Sequence, residues 1–386
     1  MIKKEFCTGC GACASVCPVD AITMIPDSHG FLHPQIDSNK CMNCSKCDRV
    51  CPVDKENVKS SVLECFAAVN KDENVRVNSS SGGVFSALAE CVLNQGGVVI
   101  GATLNVEFSR VQHIAIESKE ELGKLRGSKY LQSDTNNTFK KVRTYLKENR
   151  KVLYVGTPCQ IAGLKRFLLN MNTENLLTID FICHGVPSPI VWEKYKQQQE
   201  SKNKSLLRKV EFRNKISGWR TYSLLFEYEN NKQELELITE SLYLKGFVSN
   251  LYLRKSCYQC VFKDQNYYSD ITIADLWGAE KFCEEFGDDK GISFVVIHNK
   301  KGQDNFNAIE DSMYIKKIKK EDALKYNPSY YLAVETNQYS DCFWIDFWKN
   351  SCVKKVIKKY TSNKLHYKIY RKIKKCITKC TENIIS

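Results

Sequence analysis

The chain has 386 residues, 43% hydrophobic and 26% charged, with 19 cysteines and a formal net charge of +13. That length allows two or three domains and a sizeable core. It excludes the small secreted disulfide scaffold that such a cysteine count would otherwise bring to mind. No apolar leader precedes Cys7 and no run is long enough to cross a bilayer, so a reducing, cytoplasmic setting is expected. Twelve Lys or Arg and no Asp or Glu lie between Lys349 and Cys380, so the tail supplies nearly all the excess charge. The near balance of the rest removes the case for a nucleic-acid-binding face.

Residues 1–57 carry Cys7-x2-Cys10-x2-Cys13-x3-Cys17-Pro18 and again Cys41-x2-Cys44-x2-Cys47-x3-Cys51-Pro52. This doubled run resembles the bacterial-type ferredoxins, in which three closely spaced thiolates grip one 4Fe-4S cluster and the fourth cysteine reaches across to the other. The resemblance implies one cluster on Cys7, Cys10, Cys13 and Cys51, and a second on Cys41, Cys44, Cys47 and Cys17. The proline after each fourth cysteine stops a helix from running on where a ligand must point inward. Zinc is the competing reading, but zinc patterns rarely carry a third cysteine two residues on and then Cys-Pro.

The polar stretch Lys55 to Ser61 reads as a join to a larger region, taken as two parts, 58–145 and 146–345, before a basic tail at 346–386. Ser79-Ser80-Ser81-Gly82-Gly83 precedes Val84, Phe85, Leu88, Ala89, Val92 and Leu93, which predicts a serine-capped amphipathic helix. Gly96-Gly97 ends it, and Val98–Ala102 reads as a buried strand. A helix presenting Phe139, Val142 and Leu146 leads to strand 152–155, the loop Gly156-Thr157-Pro158-Cys159-Gln160 and another helix. Strand 177–182 repeats the plan through Cys183-His184-Gly185-Val186-Pro187-Ser188 into a helix from Pro189. Strands follow at 210–213, 222–228 and 234–237, as an α+β insertion, and then Cys257-x2-Cys260, the segment Asp270 to Gly278 and strand 292–298. The expected fold is α/β, α+β overall: a ferredoxin-like two-cluster module followed by a mixed α/β catalytic domain for flavin and iron-sulfur cofactors. In such sheets the strand-to-helix loops gather at the carboxyl ends, where ligands bind.

Seven of these segments in order resemble the family of coenzyme F420 hydrogenase/dehydrogenase beta subunits, in a form fused to a ferredoxin module. They are Ser80 to Phe85, Arg126 to Tyr130, Val155 to Leu164, Asp180 to Ser188, Phe212 to Lys215, Cys257 to Cys260 and Asp270 to Asp275. One departure is Ala274, where the family usually has glycine. The resemblance implies a flavoprotein oxidoreductase, with FAD as the flavin, that moves electrons between clusters and a hydride-carrying partner. That partner is a small substrate or coenzyme, which in archaeal members is a deazaflavin.

Cys159, Cys183 and the Cys257/Cys260 pair are expected to hold a third 4Fe-4S cluster, because two strand-end loops can converge on the pair. Buried packing and a zinc site remain alternatives, as does a reactive thiol at Cys159, which sits near a helix N-terminus. Ser80, Ser81, Gly82 and Gly83 form a candidate phosphate cradle at a helix start, with an ordinary helix cap as the plain reading. Arg126 and Lys129, flanking Gly127-Ser128, would supply charge to the flavin, and Gly156, Thr157 and Gln160 would line the same crevice or merely shape the turn. His184 is the candidate proton donor, against a role as a loop hydrogen-bonder. Trp219 and Arg220 are candidate substrate contacts, with aromatic packing as the default. The lysine-rich tail, with Val353, Ile357, Leu365, Ile369 and Ile373, reads as amphipathic helix, which fits solvent, an acidic partner such as a ferredoxin, or peripheral contact with the inner face of a membrane through residues 349–380. Two other readings stand beside the enzyme: an electron-transfer subunit of a larger redox complex without its own substrate, and a membrane-surface reductase in polysaccharide or lipid metabolism.

Overall fold

The computed structural model describes residues 2–53, 61–264 and 267–385, with side chains through 375. The expected join after residue 57 and the side chains of Cys376 and Cys380 lie outside the described residues.

The ferredoxin module is a hairpin, β1 (Ile22–Pro26) on β2 (Leu32–Ile36), between two short helices, Ala12–Val16 and Lys46–Val50. Its two cysteine loops share a backbone. Left-handed residues fall at the second and fourth positions after the first cysteine of each run, Gly9 and Gly11 in one and Asn43 and Ser45 in the other.

The rest is built on one large mixed sheet and a small meander. The sheet strands are β3 (Glu64–Asn70), β4 (Val98–Leu104), β5 (Val111–Ile116), β6 (Ser133–Asp134), β7 (Val152–Val155), β8 (Leu176–Phe181), β12 (Ile271–Asp275), β13 (Ser293–Ile297) and β14 (Met313–Lys317). Their order across the nine-stranded sheet is β14-β3-β13-β12-β8-β7-β4-β5-β6. β4, β7, β8 and β12 run parallel, with antiparallel strands added at both sides. The two parts expected at 58–145 and 146–345 both contribute strands to this one sheet, with β3 of the first lying between β13 and β14 of the second. β13 is mostly apolar and wholly buried, and β8 is buried from Leu176 to Asp180, as befits strands covered on both faces. The meander, β9 (Leu207–Asn214), β10 (Ser223–Tyr228) and β11 (Gln233–Leu237), shares a core with helices Pro189–Asn203 and Leu242–Val248 through Trp192, Phe226 and Tyr243. This is the insertion expected from the sequence.

The segment 270–278 forms β12 over Ile271–Asp275 and then turns. One local expectation changes. Helix Val84–Asn94 begins at Gly83 without a side-chain cap, since Ser79 Oγ donates to Val75 O, Ser81 Oγ donates to Ile292 O and Ser80 pairs with Ser128. Ala274 pairs with Phe294 across β12 and β13 and packs against the Phe294 cluster.

Candidate functional site

The cysteines of the two runs surround two spaces that share Cys47. One is lined by Cys7, Cys10, Cys13, Cys47 and Cys51, a lining that fits the crossed pairing expected from the sequence. The other is lined by Cys17, Cys41, Cys44 and Cys47. The two quartets differ in surroundings. Gly9 and Gly11 pack on the main domain, where an added Cβ would lie 2.5 Å from Gln132 Nε2 at Gly9 and would strike Thr135 Oγ1 at Gly11. Thr135 Oγ1 donates to Cys10 O and Gln132 Nε2 to Thr8 O. Asn43 and Ser45 hold the same left-handed backbone on the solvent side, where side chains fit. The first quartet is thus docked and the second faces outward.

Helix Pro158–Phe167 lies against the docked quartet. A Cβ on Gly163 would sit 2.9 Å from Cys10 Sγ and 3.1 Å from Cys10 Cβ. Alanine would favour the helix by about 1 kcal/mol over glycine, yet here it would push a thiol that a cluster holds fixed. Gly163→Ala is expected to lose roughly one cluster, about four irons, measured as iron per chain with the helical signal of the protein retained. Full iron retention would show that Cys10 can yield without losing its cluster.

Cys159, Cys183, Cys257 and Cys260 are brought together. The Cys183 loop pairs with the segment before Cys257 through Pro187 and Leu253, and Arg254 N donates to Val186 O. An added Cβ on Gly185 would meet Cys257 Sγ at 3.7 Å. Burial pushes the Cys159 thiol up to about 11 and the Cys257 thiol to about 12, and raises Cys183 and Cys260, with neighbouring thiols of the set adding to the effect on Cys159, Cys257 and Cys183. These groups stay protonated unless a cation compensates them. The helix N-terminus at Cys159 does not overcome that burial, which weighs against a free reactive thiolate there. Among the described residues, no three His, Cys, Asp or Glu side chains converge closely enough for a single ion. Burial raises the Cys10 thiol and Cys159 adds to the effect, while Thr8 hydrogen-bonds Cys159, so the third set adjoins the docked quartet.

The remaining predicted residues gather at the carboxyl ends of the parallel strands. Ser80 and Ser128 share a hydrogen bond of 2.8 Å. Gly82 must be glycine because a Cβ would strike Ala68 O. Arg126 turns back to helix Val84–Asn94, donating to Ser86 Oγ (3.0 Å) near Glu90. Lys129 Nζ donates to the Leu125 and Arg126 carbonyls, and burial pulls it down to about 7. Gly156, Thr157 and Gln160 shape the turn: Gln160 Oε1 accepts from Thr157 N, and its Nε2 donates to Ser133 O. His184 Nε2 meets Asn250 Oδ1 at 2.7 Å, its ring lies edge-on to Phe247, and burial lowers its basicity.

The meander lays Arg213 and Lys215 over this edge. Lys215 Nζ donates to the carbonyls of Arg76, Ser81 and Lys290, and burial with Arg213 nearby brings it down to about 7. Arg213 pairs with Asp275 at the end of β12, lies 4.4 Å over the Tyr222 ring and 5.5 Å over Trp277, and has Trp219 stacked on Trp277 at 4.7 Å beside it. Its Nε and Nη2 are buried without a partner among the described residues. Arg220 instead pairs with Glu280 at the surface.

Known sequence families account for most of the chain between residues 6 and 323. Residues 65–140 match the N-terminal region of the coenzyme F420 hydrogenase/dehydrogenase beta subunit, and residues 149–323 match its C-terminal region. The chain belongs to the family of coenzyme F420 hydrogenase/dehydrogenase beta subunits. Residues 6–55 match the 4Fe-4S dicluster domain, so this family member carries an iron-sulfur electron-transfer module. A curated relative, the F component of the F(420)H(2) dehydrogenase of Methanosarcina mazei, is 23% identical over 328 residues, 82% of this chain and 85% of that one. A chain in a structure of the F420-reducing NiFe hydrogenase complex from Methanosarcina barkeri aligns with a TM-score of 0.49 at 16% identity, covering 71% of this chain and 92% of that chain.

Arg213, Lys215, Asp275 and Tyr130 stand in the family blocks of the sequence and Trp277 in the segment 270–278, none with an expected role, and Lys263 and Arg254 carry no motif. The signal was present for the first three, since charged residues flanked by aromatics at strand ends are rarely plain surface. Lys263 and Arg254 gave none: only the fold shows Lys263 Nζ donating to Cys183 O, and Arg254 donating to Cys7 O at 2.7 Å and Leu32 O at 2.9 Å.

Proposed function

We propose that this protein is an iron-sulfur flavoprotein oxidoreductase that links one-electron carriers to a two-electron, hydride-accepting small molecule. In this reading the solvent-facing and docked quartets each bind a 4Fe-4S cluster. Cys159, Cys183, Cys257 and Cys260 bind a third, and FAD occupies the crevice between the strand ends and the meander. The clusters and flavin, when bound, supply the exchange between single electrons and electron pairs.

The observation that carries the reading is the continuity of sites. An exposed quartet adjoins a docked one, which adjoins the third thiol set. From Cys183 the adjacent His184 leads through Phe247 to Tyr130, with ring centres 5.2 Å and 5.0 Å apart, and Tyr130 borders the Arg213 crevice. The residues there fit a flavin nucleotide. Two unpartnered guanidinium nitrogens suit an anionic or carbonyl oxygen, Trp277 and Tyr222 offer flat apolar surface, and the uncapped start of helix Val84–Asn94 offers free backbone N–H groups to phosphate. His184 holds its loop through Asn250 and stands behind Phe247, which makes it a positioning group rather than the proton donor.

The relative from M. mazei is named as part of a dehydrogenase, and this favours a second reading, a redox-partner subunit without its own substrate. Anaerobic purification, flavin release and turnover with reduced ferredoxin separate the two. About one FAD per chain with reduction of a hydride acceptor by the isolated protein is expected. FAD without turnover, restored by a co-purifying subunit, would establish the second reading, and absence of flavin would sink the first.

A further inference from the structure

The C-terminal helix Leu365–Ile385 is docked by the wrong face for an ordinary surface helix. Its polar side is turned inward. Tyr370 Oη donates to Asp346 Oδ2 (2.5 Å), and Lys374 pairs with the same carboxylate (3.2 Å). Arg371 is buried and donates to the carbonyls of Lys359 and Ser362. Leu365, Ile369 and Ile373, spaced four apart on one face, are left 72%, 49% and 57% exposed. Lys364, Lys368 and Lys372 are exposed around them.

A helix normally buries its aliphatic stripe and presents its lysines. Here Asp346, itself buried, draws the cationic and phenolic side inward and fixes the stripe outward. Between Asp346 and Glu382 the sequence has twelve Lys or Arg and no acidic residue, so the segment that carries the stripe is cationic throughout its neighbouring sequence. None of the described helices is long and apolar enough to span a bilayer. An aliphatic ridge set among lysines matches the boundary of an anionic bilayer, where acyl chains accept the ridge and headgroups accept the charges.

We propose that this helix seats the protein on an anionic membrane surface, with Leu365, Ile369 and Ile373 entering the headgroup boundary and Lys364, Lys368 and Lys372 contacting lipid phosphates. The seat leaves the strand-end crevice and the outward cysteine quartet untouched in its own contacts, so it sets where the protein works rather than what it does.

Flotation of the full-length, cluster-loaded protein with vesicles tests this. Binding is expected to vesicles of phosphatidylcholine containing phosphatidylglycerol and not to phosphatidylcholine alone, weakening as salt rises. Ile369→Asn with Ile373→Asn, and separately Lys368→Glu with Lys372→Glu, should each weaken binding by about tenfold or more. All four side chains are exposed, so iron content and circular dichroism should match the parent. Parent-like binding by the double asparagine variant would overturn the proposal, since charge alone would then suffice. So would a parent protein that binds neither vesicle, including one that captures only an acidic protein.

Discussion

Replacing Cys183 with serine is expected to lower iron from about twelve to about eight atoms per chain while both ferredoxin clusters persist. Cys183 leaves the end of β8 buried among Cys257, Cys159 and Cys260, and each thiol in the set needs a metal centre to become a ligand. Serine preserves volume but offers a poor ligand to iron, so three thiols remain and the third cluster falls away. The ferredoxin quartets keep all their ligands. Cys283→Ser is the control: Cys283 is buried in the Phe294 cluster, away from the site, and its loss should leave iron unchanged. Iron and zinc analysis beside electron paramagnetic resonance of the dithionite-reduced protein reads the result. A parent with about eight irons and one zinc, the zinc lost in the variant, would make the third set a zinc site instead. Equal iron in parent and variant, without zinc, would make these cysteines packing residues.

What the sequence made legible follows from how locally each feature is encoded. The cysteine runs, strand 152–155 and the helix from Pro189 are short-range patterns that stand where the pattern put them, while the strand expected at 177–182 runs over Leu176–Phe181 and the helix expected after the Cys159 loop begins within it, at Pro158. The convergence of Cys159 and Cys183 on the Cys257/Cys260 pair was readable because strand-end loops in a parallel sheet share an edge. Strands β3, β5 and β14 were missed. β3 is the mixed run Glu64–Asn70, buried only because β13 and β14 flank it, and such context overrides propensity. The serines before Val84 looked like caps, yet each is bonded elsewhere, to Val75, Ser128 and Ile292. Arg213 and Arg254 act through partners dozens to hundreds of residues away, and no spacing rule reaches that far.

Arg254→Met is expected to make the protein less responsive to its own iron. Arg254 is 2% exposed and lies between the docked quartet and the third thiol set: Nε donates to Cys7 O, Nη1 to Gln132 Oε1 and Nη2 to Leu32 O. Its field favours the ionised forms of Cys7, Cys159 and Cys257. No carboxylate pairs with it among the described residues. A buried cation held by neutral carbonyls alone destabilises a fold by several kcal/mol, on the order of 3–5 when a partner is missing, unless the compensating charge comes from elsewhere. In the proposed arrangement, four thiolates around each adjoining 4Fe-4S cluster would supply a net negative charge on either side of this guanidinium. Iron loading should therefore stabilise the parent more than the methionine variant, by about 2–3 kcal/mol in anaerobic urea unfolding, because only the parent converts an uncompensated charge into a compensated one. The same cation favours the reduced clusters, so in the variant their potentials should fall. A unit charge acting with roughly 1–2 kcal/mol corresponds to about 40–90 mV in a one-electron potential. Redox titration followed by electron paramagnetic resonance should show the shift in the clusters nearest Arg254 and little in the one held by Cys17, Cys41, Cys44 and Cys47. Equal stabilisation by iron and unmoved potentials would reduce Arg254 to a strut between the ferredoxin module and the sheet.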